Sequence, residues 1–237
     1  MSEGLNTCII TGASKGIGAS LAERLAPEFD CLILIARSTD RLRSLKTKLQ
    51  DQAQVVILSG DLKGGRIYKD LPSLIKDKGY KVTAVVHNAG YLVNKPVKAL
   101  SVEEFEEMYS VNVFAYFKLV KALMPVIDSE LPCHWVVTGS MGGVSGTSKF
   151  PGLSGYSSSK GAVLIMNEVF ASEYAETCHR FNTLNLGAAQ TEMLSMAFPG
   201  YQAPLSAGEM SEFIAWFVVN GGRFFQGKSL PVALTNP

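Results

Sequence analysis

A short apolar run that leads directly into a glycine-rich loop restricts most strongly how this 237-residue chain can fold. Residues 7–11 are apolar or threonine, the loop is Gly12-Ala13-Ser14-Lys15-Gly16-Ile17-Gly18, and apolar residues then recur at helical spacing. This order predicts a strand, a turn and a helix. Backbone N–H groups of such a turn, together with the helix N-terminus, can receive a pyrophosphate. A purely structural turn also uses glycine, so both interpretations stay open at this point.

The rest of the chain alternates apolar strand-like runs with amphipathic helical segments. Strands are predicted at residues 31–36, 55–58, 82–86, 135–138 and 227–234, and helices at residues 19–26, 40–50, 67–78, 101–123, 156–177 and 210–219. Continuous apolar runs indicate strands that are buried on both faces of a parallel sheet. The alternation, without repeats or a change in composition, predicts one α/β domain over residues 1–237, with helices on both sides of the sheet.

Composition and charge argue against several classes of function. The formal net charge is +1 and there is no basic run, so we expect neither nucleic acid nor an anionic membrane as a partner. No apolar run approaches the ~18 residues of a membrane-spanning helix. The N-terminus lacks the basic and apolar regions of a secretory signal. We therefore expect a cytoplasmic protein.

The cysteines and histidines lack the spacing of metal ligands. They are Cys8, Cys31, Cys133, Cys178, His87, His134 and His179. No two cysteines form a C-x-x-C pair, and three of them lie in or beside apolar runs. We predict buried, reduced thiols and no metal site.

The residues after the second predicted strand bear on which nucleotide the loop could bind. An NAD enzyme would usually place an acidic residue there, whereas this chain has Ala36, Arg37 and Ser38. Arg37 and Lys15 could together bind a 2′-phosphate, which favours NADP over NAD. A solvated arginine at a helix start is the alternative. Asp61 follows the third predicted strand, either as an adenine contact or as a turn residue.

Tyr156 and Lys160 are four residues apart and share one face of a predicted helix. A positive charge near a phenol stabilises the phenolate and lowers its pKa, which would suit Tyr156 to transfer a proton. Tyr91 and Lys95 have the same spacing, but a proline follows the lysine and we expect this second pair in a loop.

Two further polar residues could join the Tyr156 and Lys160 pair. Ser140 lies just after the strand predicted at residues 135–138. It could therefore contact the same carbonyl oxygen of a bound substrate as Tyr156. Asn112 lies inside an apolar stretch and needs a buried partner, either for structure or as part of a proton path.

In this order the residues resemble the short-chain dehydrogenase/reductase family, in its single-domain branch. The matching motifs are Thr11-Gly12-x-x-x-Gly16-x-Gly18, Asp61, Asn88-Ala89-Gly90, Asn112, Ser140 and Tyr156-x-x-x-Lys160. The resemblance implies a three-layer, doubly wound Rossmann-type sheet of about seven parallel strands. It also implies a catalytic tetrad of Asn112, Ser140, Tyr156 and Lys160, and a structural role for Asn88 at the central sheet.

The resemblance further implies reversible hydride transfer between NADP(H) and a carbonyl or secondary alcohol, with reduction as the direction in the cell. The cofactor-binding residues that it implies are Gly12, Ser14, Lys15, Gly16, Ile17, Gly18, Arg37, Ser38, Asp61, Leu62, Asn88, Ala89, Gly90, Tyr156, Lys160, Gly187 and Thr191. A homodimer or homotetramer is expected on the same ground. The alternatives are a non-catalytic NADP-binding regulator and an epimerase that uses the nucleotide transiently.

Three departures from the family pattern bear on the active site. Leu186 stands where a proline is usual, which we expect to free the loop that positions Thr191. Ser140 and Tyr156 are 16 residues apart, more than is common, so residues 145–153 should form an enlarged wall. The C-terminus is short and leaves little chain to close a pocket.

Residues 188–204 are predicted to be a substrate lid. Their apolar residues are Met193, Leu194, Met196, Phe198 and Tyr201. An apolar inner face would suit an apolar or aromatic carbonyl; the alternative is that these residues pack the core or an interface.

Overall fold

The computed structural model describes residues 4–234, and seven parallel strands form its central sheet. The strands are β1 (Asn6–Thr11), β2 (Cys31–Ala36), β3 (Gln54–Ser59), β4 (Lys81–His87), β5 (Cys133–Ser140), β6 (His179–Leu186) and β7 (Lys228–Val232). Their order across the sheet is β3-β2-β1-β4-β5-β6-β7. The direction of winding reverses between β1 and β4, which is the point where doubly wound sheets bind ligands beyond the carboxyl ends of their strands.

Helices cover both faces of the sheet. They are α1 (Gly16–Leu25), α2 (Thr39–Leu49), α3 (Ile67–Lys78), α4 (Val102–Tyr109), α5 (Ala115–Leu123), α6 (Ser154–Glu173), α7 (Glu192–Ala197) and α8 (Ala207–Asn220). Residues from α1, α2 and α8 form one buried cluster and residues from α3, α5 and α6 form the other. The predicted three-layer α/β architecture is therefore confirmed.

Strand β2 shows why its bounds could be predicted. Successive residues of a strand point to opposite faces. Leu32 and Leu34 pack into one cluster, whereas Ile33 and Ile35 pack into the other. Because both faces are buried, every position from 31 to 36 must be apolar, and the prediction is correct at both ends.

Strand β3 was predicted to be fully buried, and that expectation is wrong. It lies at the edge of the sheet, so Val56, Ile57 and Leu58 are only half-buried and Ser59 is exposed. Other differences concern the ends of elements. Strand β5 begins earlier than predicted, at Cys133, and helix α6 ends at Glu173 rather than near residue 177.

The long helix predicted over residues 101–123 is interrupted by one π-helical turn. Ser101 caps its start as expected, because its Oγ accepts a hydrogen bond from the Glu104 N–H at 3.2 Å. The π-helical turn, Ser110–Phe114, joins α4 to α5 and contains Asn112. Such turns interrupt regular helical hydrogen bonding and are frequent at functional sites.

The cysteines follow the prediction of unpaired thiols. Cys8, Cys31 and Cys133 are buried and Cys178 is half-buried, and all four are free within the described part of the chain. Burial raises the pKa of the Cys31 and Cys133 thiols. Across residues 4–234, the structure contains no cluster of three or more potential metal-ligating side chains. None of the described helices combines the length and hydropathy needed to span a bilayer.

Candidate active site

One cavity of about 880 Å³ opens at the carboxyl edge of the sheet, within the size range of small-molecule sites. It is bordered by the loop after β1 and by the segments that follow β2 to β6. Of the residues predicted for cofactor binding or catalysis, all but Gly18 and Asn112 line it. Thus residues separated by up to 179 positions in the sequence (from Gly12 to Thr191) meet at one site.

The glycines of the first loop are required by close packing. Gly12 has φ +67°, and a Cβ there would lie 2.8 Å from the Ala89 Cα. A Cβ on Gly18 would overlap the Gly12 carbonyl oxygen and the Asn88 amide. Gly18 therefore packs α1 against the loop and does not itself line the cavity, which corrects its predicted place among the cofactor contacts.

The start of helix α1 is suited to an anion. Lys15 occupies its N-cap position, and within residues 4–234 no side chain caps this end and no acidic residue lies in the first turn. The first N–H groups of a helix lack partners inside the helix and carry a partial positive charge. A pyrophosphate could accept hydrogen bonds from these groups.

Three cationic side chains line the cavity beside this helix start: Lys15, Arg37 and Arg41. Arg41 was not predicted; it lies in the first turn of α2, whereas Arg37 precedes that helix. Glu192 pairs with two of these cations, its Oε2 lying 2.8 Å from Lys15 Nζ and 3.1 Å from Arg41 Nη1. Lys15 and then Arg41 lower the pKa of Glu192 to about 2.

Asp61 follows the carboxyl end of β3, and Asn88 follows that of β4. Asp61 Oδ1 accepts a hydrogen bond from the Lys63 N–H at 2.8 Å, the geometry of a turn residue, yet Asp61 also lines the cavity. Asn88 Nδ2 donates to the Gly12 carbonyl at 3.3 Å. Asn88 therefore ties β4 to the glycine loop, as expected from its structural role.

The predicted acid and its partners meet at the other end of the cavity. Tyr156 and Lys160 lie on the first turns of α6, and Ser140 ends β5. The Ser140 hydroxyl lies beside the Tyr156 phenol, near enough to influence its pKa, and accepts a hydrogen bond from the Gly142 N–H at 3.2 Å. A serine and a phenol so placed can share one substrate oxygen, one as hydrogen-bond donor and the other as acid.

Comparison with known proteins identifies the family of this chain. The family model described as short chain dehydrogenase matches residues 6–202. The chain belongs to the short-chain dehydrogenase/reductase family. It is therefore an oxidoreductase, and the predicted family is confirmed.

Individual relatives of this dehydrogenase cover most of its length. An uncharacterized oxidoreductase of Listeria monocytogenes is 31% identical over 189 residues, which are 78% of this chain and 75% of that protein. The NADPH-dependent pterin aldehyde reductase of Arabidopsis thaliana is 29% identical over 203 residues, 84% and 82% of the two chains. A solved structure of a short chain dehydrogenase from Shigella flexneri complexed with NADP is 27% identical, with a TM-score of 0.85, covering 95% and 96%.

Burial dominates the pKa values of Tyr156 and Lys160. Burial raises the pKa of Tyr156, and the nearby Ser140 hydroxyl opposes that rise. The expected lowering of this pKa by Lys160 is not found. Lys160 Nζ lies 5.8 Å from the centre of the Tyr156 ring and donates instead to the Thr138 carbonyl at 2.8 Å. Burial also lowers the pKa of Lys160, to about 8.

Asn112 is fully occupied by protein partners. Its Oδ1 accepts from the Tyr91 N–H at 2.8 Å, and its Nδ2 donates to the Tyr91 carbonyl and to Ser159 Oγ. These are the buried partners that the sequence required. A Cβ added to Gly90 would lie 3.6 Å from both Asn112 Oδ1 and Lys160 Nζ, so both side chains border this glycine.

The loop after β5 is held closely against α6. A Cβ on Gly143 would lie 2.7 Å from the Lys160 carbonyl carbon, so this glycine lets the loop approach the catalytic helix. Beyond it, Thr147 Oγ1 donates to the Met141 carbonyl at 2.7 Å. Phe150 and Leu153 then line the cavity, as predicted for the enlarged wall at residues 145–153.

The segment predicted as a lid, residues 188–204, presents its apolar side chains to the cavity with one exception. Met193, Leu194, Phe198 and Tyr201 line the cavity, whereas the side chain of Met196 is 73% exposed and does not. Asn94 Nδ2 donates to the Ala197 carbonyl at 2.8 Å and fastens the end of α7 to the loop after β4.

Strand pairing extends through the position where the family usually has proline. Leu186 is buried in β6 and pairs with Ser140 on one side and Val232 on the other. A short parallel pair, Ala189–Gln190 with Leu205–Ser206, follows it. The segment before Thr191 is thus held by backbone pairing and is not released as expected.

The chain after β7 reaches the cavity. Ala233 and Leu234 line it directly after β7, at the edge where little chain was expected. Residues 235–237 lie outside the described range.

Proposed function

We propose that this enzyme transfers hydride reversibly between NADP(H) and the carbonyl carbon of a small neutral ketone or aldehyde, acting in the cell as a reductase. One observation carries the proposal: a single cavity joins an uncapped helix start and three cations to a phenol that lies beside a serine hydroxyl. The whole chain acts as one domain, because the elements that build both ends of the cavity belong to the same sheet.

The cavity suits the cofactor. The glycine loop and the start of α1 would hold the pyrophosphate, Lys15 and Arg37 the 2′-phosphate, and Asp61 and the neighbouring Leu62 the adenine. Residues 88–90, Gly187 and Thr191 would border the nicotinamide. The Shigella flexneri structure is described as an NADP complex and the Arabidopsis thaliana relative as NADPH-dependent, which favours the same nucleotide here. When bound, NADPH supplies the hydride.

Tyr156 serves as the acid. Because burial raises its pKa, the phenol is protonated near neutral pH and can donate its proton to the alkoxide oxygen that develops during reduction. The Ser140 hydroxyl hydrogen-bonds the same oxygen. Lys160 would hold the nicotinamide ribose and stabilise the phenolate that remains. Asn112 fixes the backbone at Tyr91 beneath this site and would help to keep a proton path from Lys160 to solvent.

The substrate end of the cavity favours a neutral apolar or aromatic carbonyl. Its lining side chains are Tyr91, Leu92, Phe150, Leu153, Met193, Leu194, Phe198 and Tyr201. Among the described residues, the charged lining side chains other than Lys160 are grouped around Lys15, Arg41 and Lys63, on the cofactor side. Because Lys160 is assigned to the nicotinamide ribose, a substrate carboxylate would enter this end without a charged partner of its own, which is costly.

A panel of carbonyl compounds tests this function. We expect NADPH oxidation with aryl ketones and aldehydes at a kcat/KM at least ~10-fold above that with keto acids of similar size. The reason is that burying a single unpaired charge costs at least the free energy that corresponds to a ~10-fold difference in rate. Tight NADPH binding without oxidation across the panel would indicate a non-catalytic regulator. Product formation without net loss of NADPH absorbance would indicate an epimerase.

Arg37 should distinguish the two nucleotides. Replacing Arg37 by alanine removes a charge-assisted hydrogen bond to the 2′-phosphate, so the Kd for NADPH should rise about 10- to 100-fold and the Kd for NADH less than about 2-fold. Fluorescence titration measures both. Arg66→Ala is the control, because Arg66 is exposed and pairs with Asp70 at 3.0 Å away from the cavity. Equal losses for both nucleotides would contradict the contact.

We also propose that the enzyme is a cytoplasmic homodimer or homotetramer that engages neither nucleic acid nor membrane. Exposed apolar side chains on the π-helical turn, on α5 and on α6 support self-association: Phe114, Phe117, Ile165 and Val169. The π-helical turn packs against α6. Large exposed apolar patches of this kind often mark interfaces between subunits. Light scattering that gives a monomer mass at micromolar concentration would contradict this oligomeric state.

A further inference from the structure

Glu192 links the lid to the cofactor side of the cavity. It is the first residue of α7 and follows Thr191, whose Oγ1 caps that helix by accepting from the Leu194 N–H at 3.2 Å. Its Oε2 is shared by Lys15 of the glycine loop and Arg41 of α2, at 2.8 and 3.1 Å. One carboxylate therefore neutralises cations from two separate elements.

The same cations border the place proposed for the 2′-phosphate. Lys15 and Arg41 line the cavity together with Arg37 and Ser38. In the described part of the chain Arg37 makes no ion pair, whereas the other two cations are paired with Glu192. A phosphate bound at Arg37 would compete with the Glu192 carboxylate for the N–H donors of Lys15 and Arg41. The negative charge of Glu192 would also repel the phosphate.

We infer that Glu192 is a specificity-determining residue whose carboxylate competes with the 2′-phosphate for Lys15 and Arg41, and so limits the preference for NADPH over NADH. The inference rests on the proposed cofactor. NADH has no phosphate at this position, so its affinity depends far less on which partner the two cations hold. Glu192 thereby acts mainly on the phosphorylated nucleotide.

A scaffolding role for Glu192 would predict the opposite change in NADPH affinity when Glu192 is replaced. If Glu192 instead held Lys15 and Arg41 in place to receive the phosphate, its removal would weaken NADPH binding. Competition is favoured by the geometry, because all three side chains are about half exposed and the lysine can leave the carboxylate without disturbing a packed core.

Glu192→Gln tests the inference, since it removes the charge and keeps the shape. We expect the Kd for NADPH to fall about 3- to 10-fold in low salt, while the Kd for NADH stays within about 2-fold, because exposed ion pairs contribute modestly. Raising the ionic strength should reduce the difference between variant and wild type. Glu212→Gln is the matched control: Glu212 is an exposed glutamate of α8 that pairs with Arg24 at 3.6 Å.

The outcomes separate this inference from the cofactor proposal. If wild-type enzyme does not prefer NADPH and Arg37→Ala has no selective effect, the cofactor proposal fails. If wild type prefers NADPH but Glu192→Gln leaves its Kd unchanged or raises it, only the inference fails. In a Lys15→Met background the gain from Glu192→Gln should shrink, since the two residues share one interaction. Thermal unfolding without nucleotide verifies that each variant is folded.

Discussion

Replacing Tyr156 by phenylalanine should lower kcat by about 10²- to 10⁴-fold while the Kd for NADPH changes by less than about 2-fold. The substitution removes only the phenolic oxygen, which is the proton donor of the proposed reaction and the neighbour of Ser140. The ring stays, so the packing of α6 against the loop after β5 is retained. Single-turnover kinetics with a reactive aryl ketone and fluorescence titration of NADPH measure the two quantities separately.

Tyr91→Phe is the control for this experiment. Tyr91 also lines the cavity and has a lysine four residues later, but its backbone, not its hydroxyl, is what binds Asn112. Loss of the Tyr91 hydroxyl in this variant should change kcat by no more than a few-fold. Normal turnover by Tyr156→Phe, or an equal loss in both variants, would remove Tyr156 from the role of acid.

The sheet could be predicted from the sequence because burial on both faces leaves a local signature. Strand β2 needs an apolar residue at every position, and helix α3 has apolar residues at helical spacing and ends at Gly79, which has φ +63°. Strand β3 shows the limit of this signal. Its apolar residues resemble those of a central strand, and its place at the edge is set by the order of pairing across the whole sheet.

The site could be predicted where a motif has a fixed local geometry and not where it depends on tertiary contacts. The glycine loop, Ser140, Tyr156 and Lys160 were located because each lies at a strand end or on a helix turn. The pairing of Glu192 with Lys15 and Arg41 joins residues up to 177 positions apart (from 15 to 192), and no local sequence pattern predicts it.

The pKa of Tyr156 was misjudged for a similar reason. The spacing of Tyr156 and Lys160 places a cation on the same helix face but says nothing about burial. In the folded chain both groups are withdrawn from water, which disfavours the phenolate and the ammonium alike. The ammonium is directed at the Thr138 carbonyl. The pKa values of both groups thus depend on tertiary packing. Part of that packing is the Thr138 carbonyl of β5, a strand that ends 16 residues before the tyrosine.

Lys160→Met should abolish most turnover and yet increase stability near neutral pH. Burial lowers the pKa of Lys160 from 10.5 to about 8, so the folded state holds this ammonium at a cost of roughly 3 kcal/mol. Methionine removes that cost but leaves the Thr138 carbonyl without its donor. We expect a net rise in the free energy of unfolding of about 1–2 kcal/mol at pH 7, or a Tm higher by about 2–8 °C.

The pH dependence of this gain identifies its cause. Between pH 8 and 10.5 the unfolded wild-type chain still binds the Lys160 proton that the folded chain has lost, so wild-type stability rises with pH relative to the variant. The advantage of Lys160→Met should therefore be complete below pH 8 and disappear towards pH 10.5. Lys46→Met, at an exposed position of α2, should show no such dependence. Two results would contradict this prediction: a variant less stable than wild type at pH 7, or a gain in stability that does not change with pH. Either would mean that the buried Lys160 ammonium does not lower the free energy of unfolding.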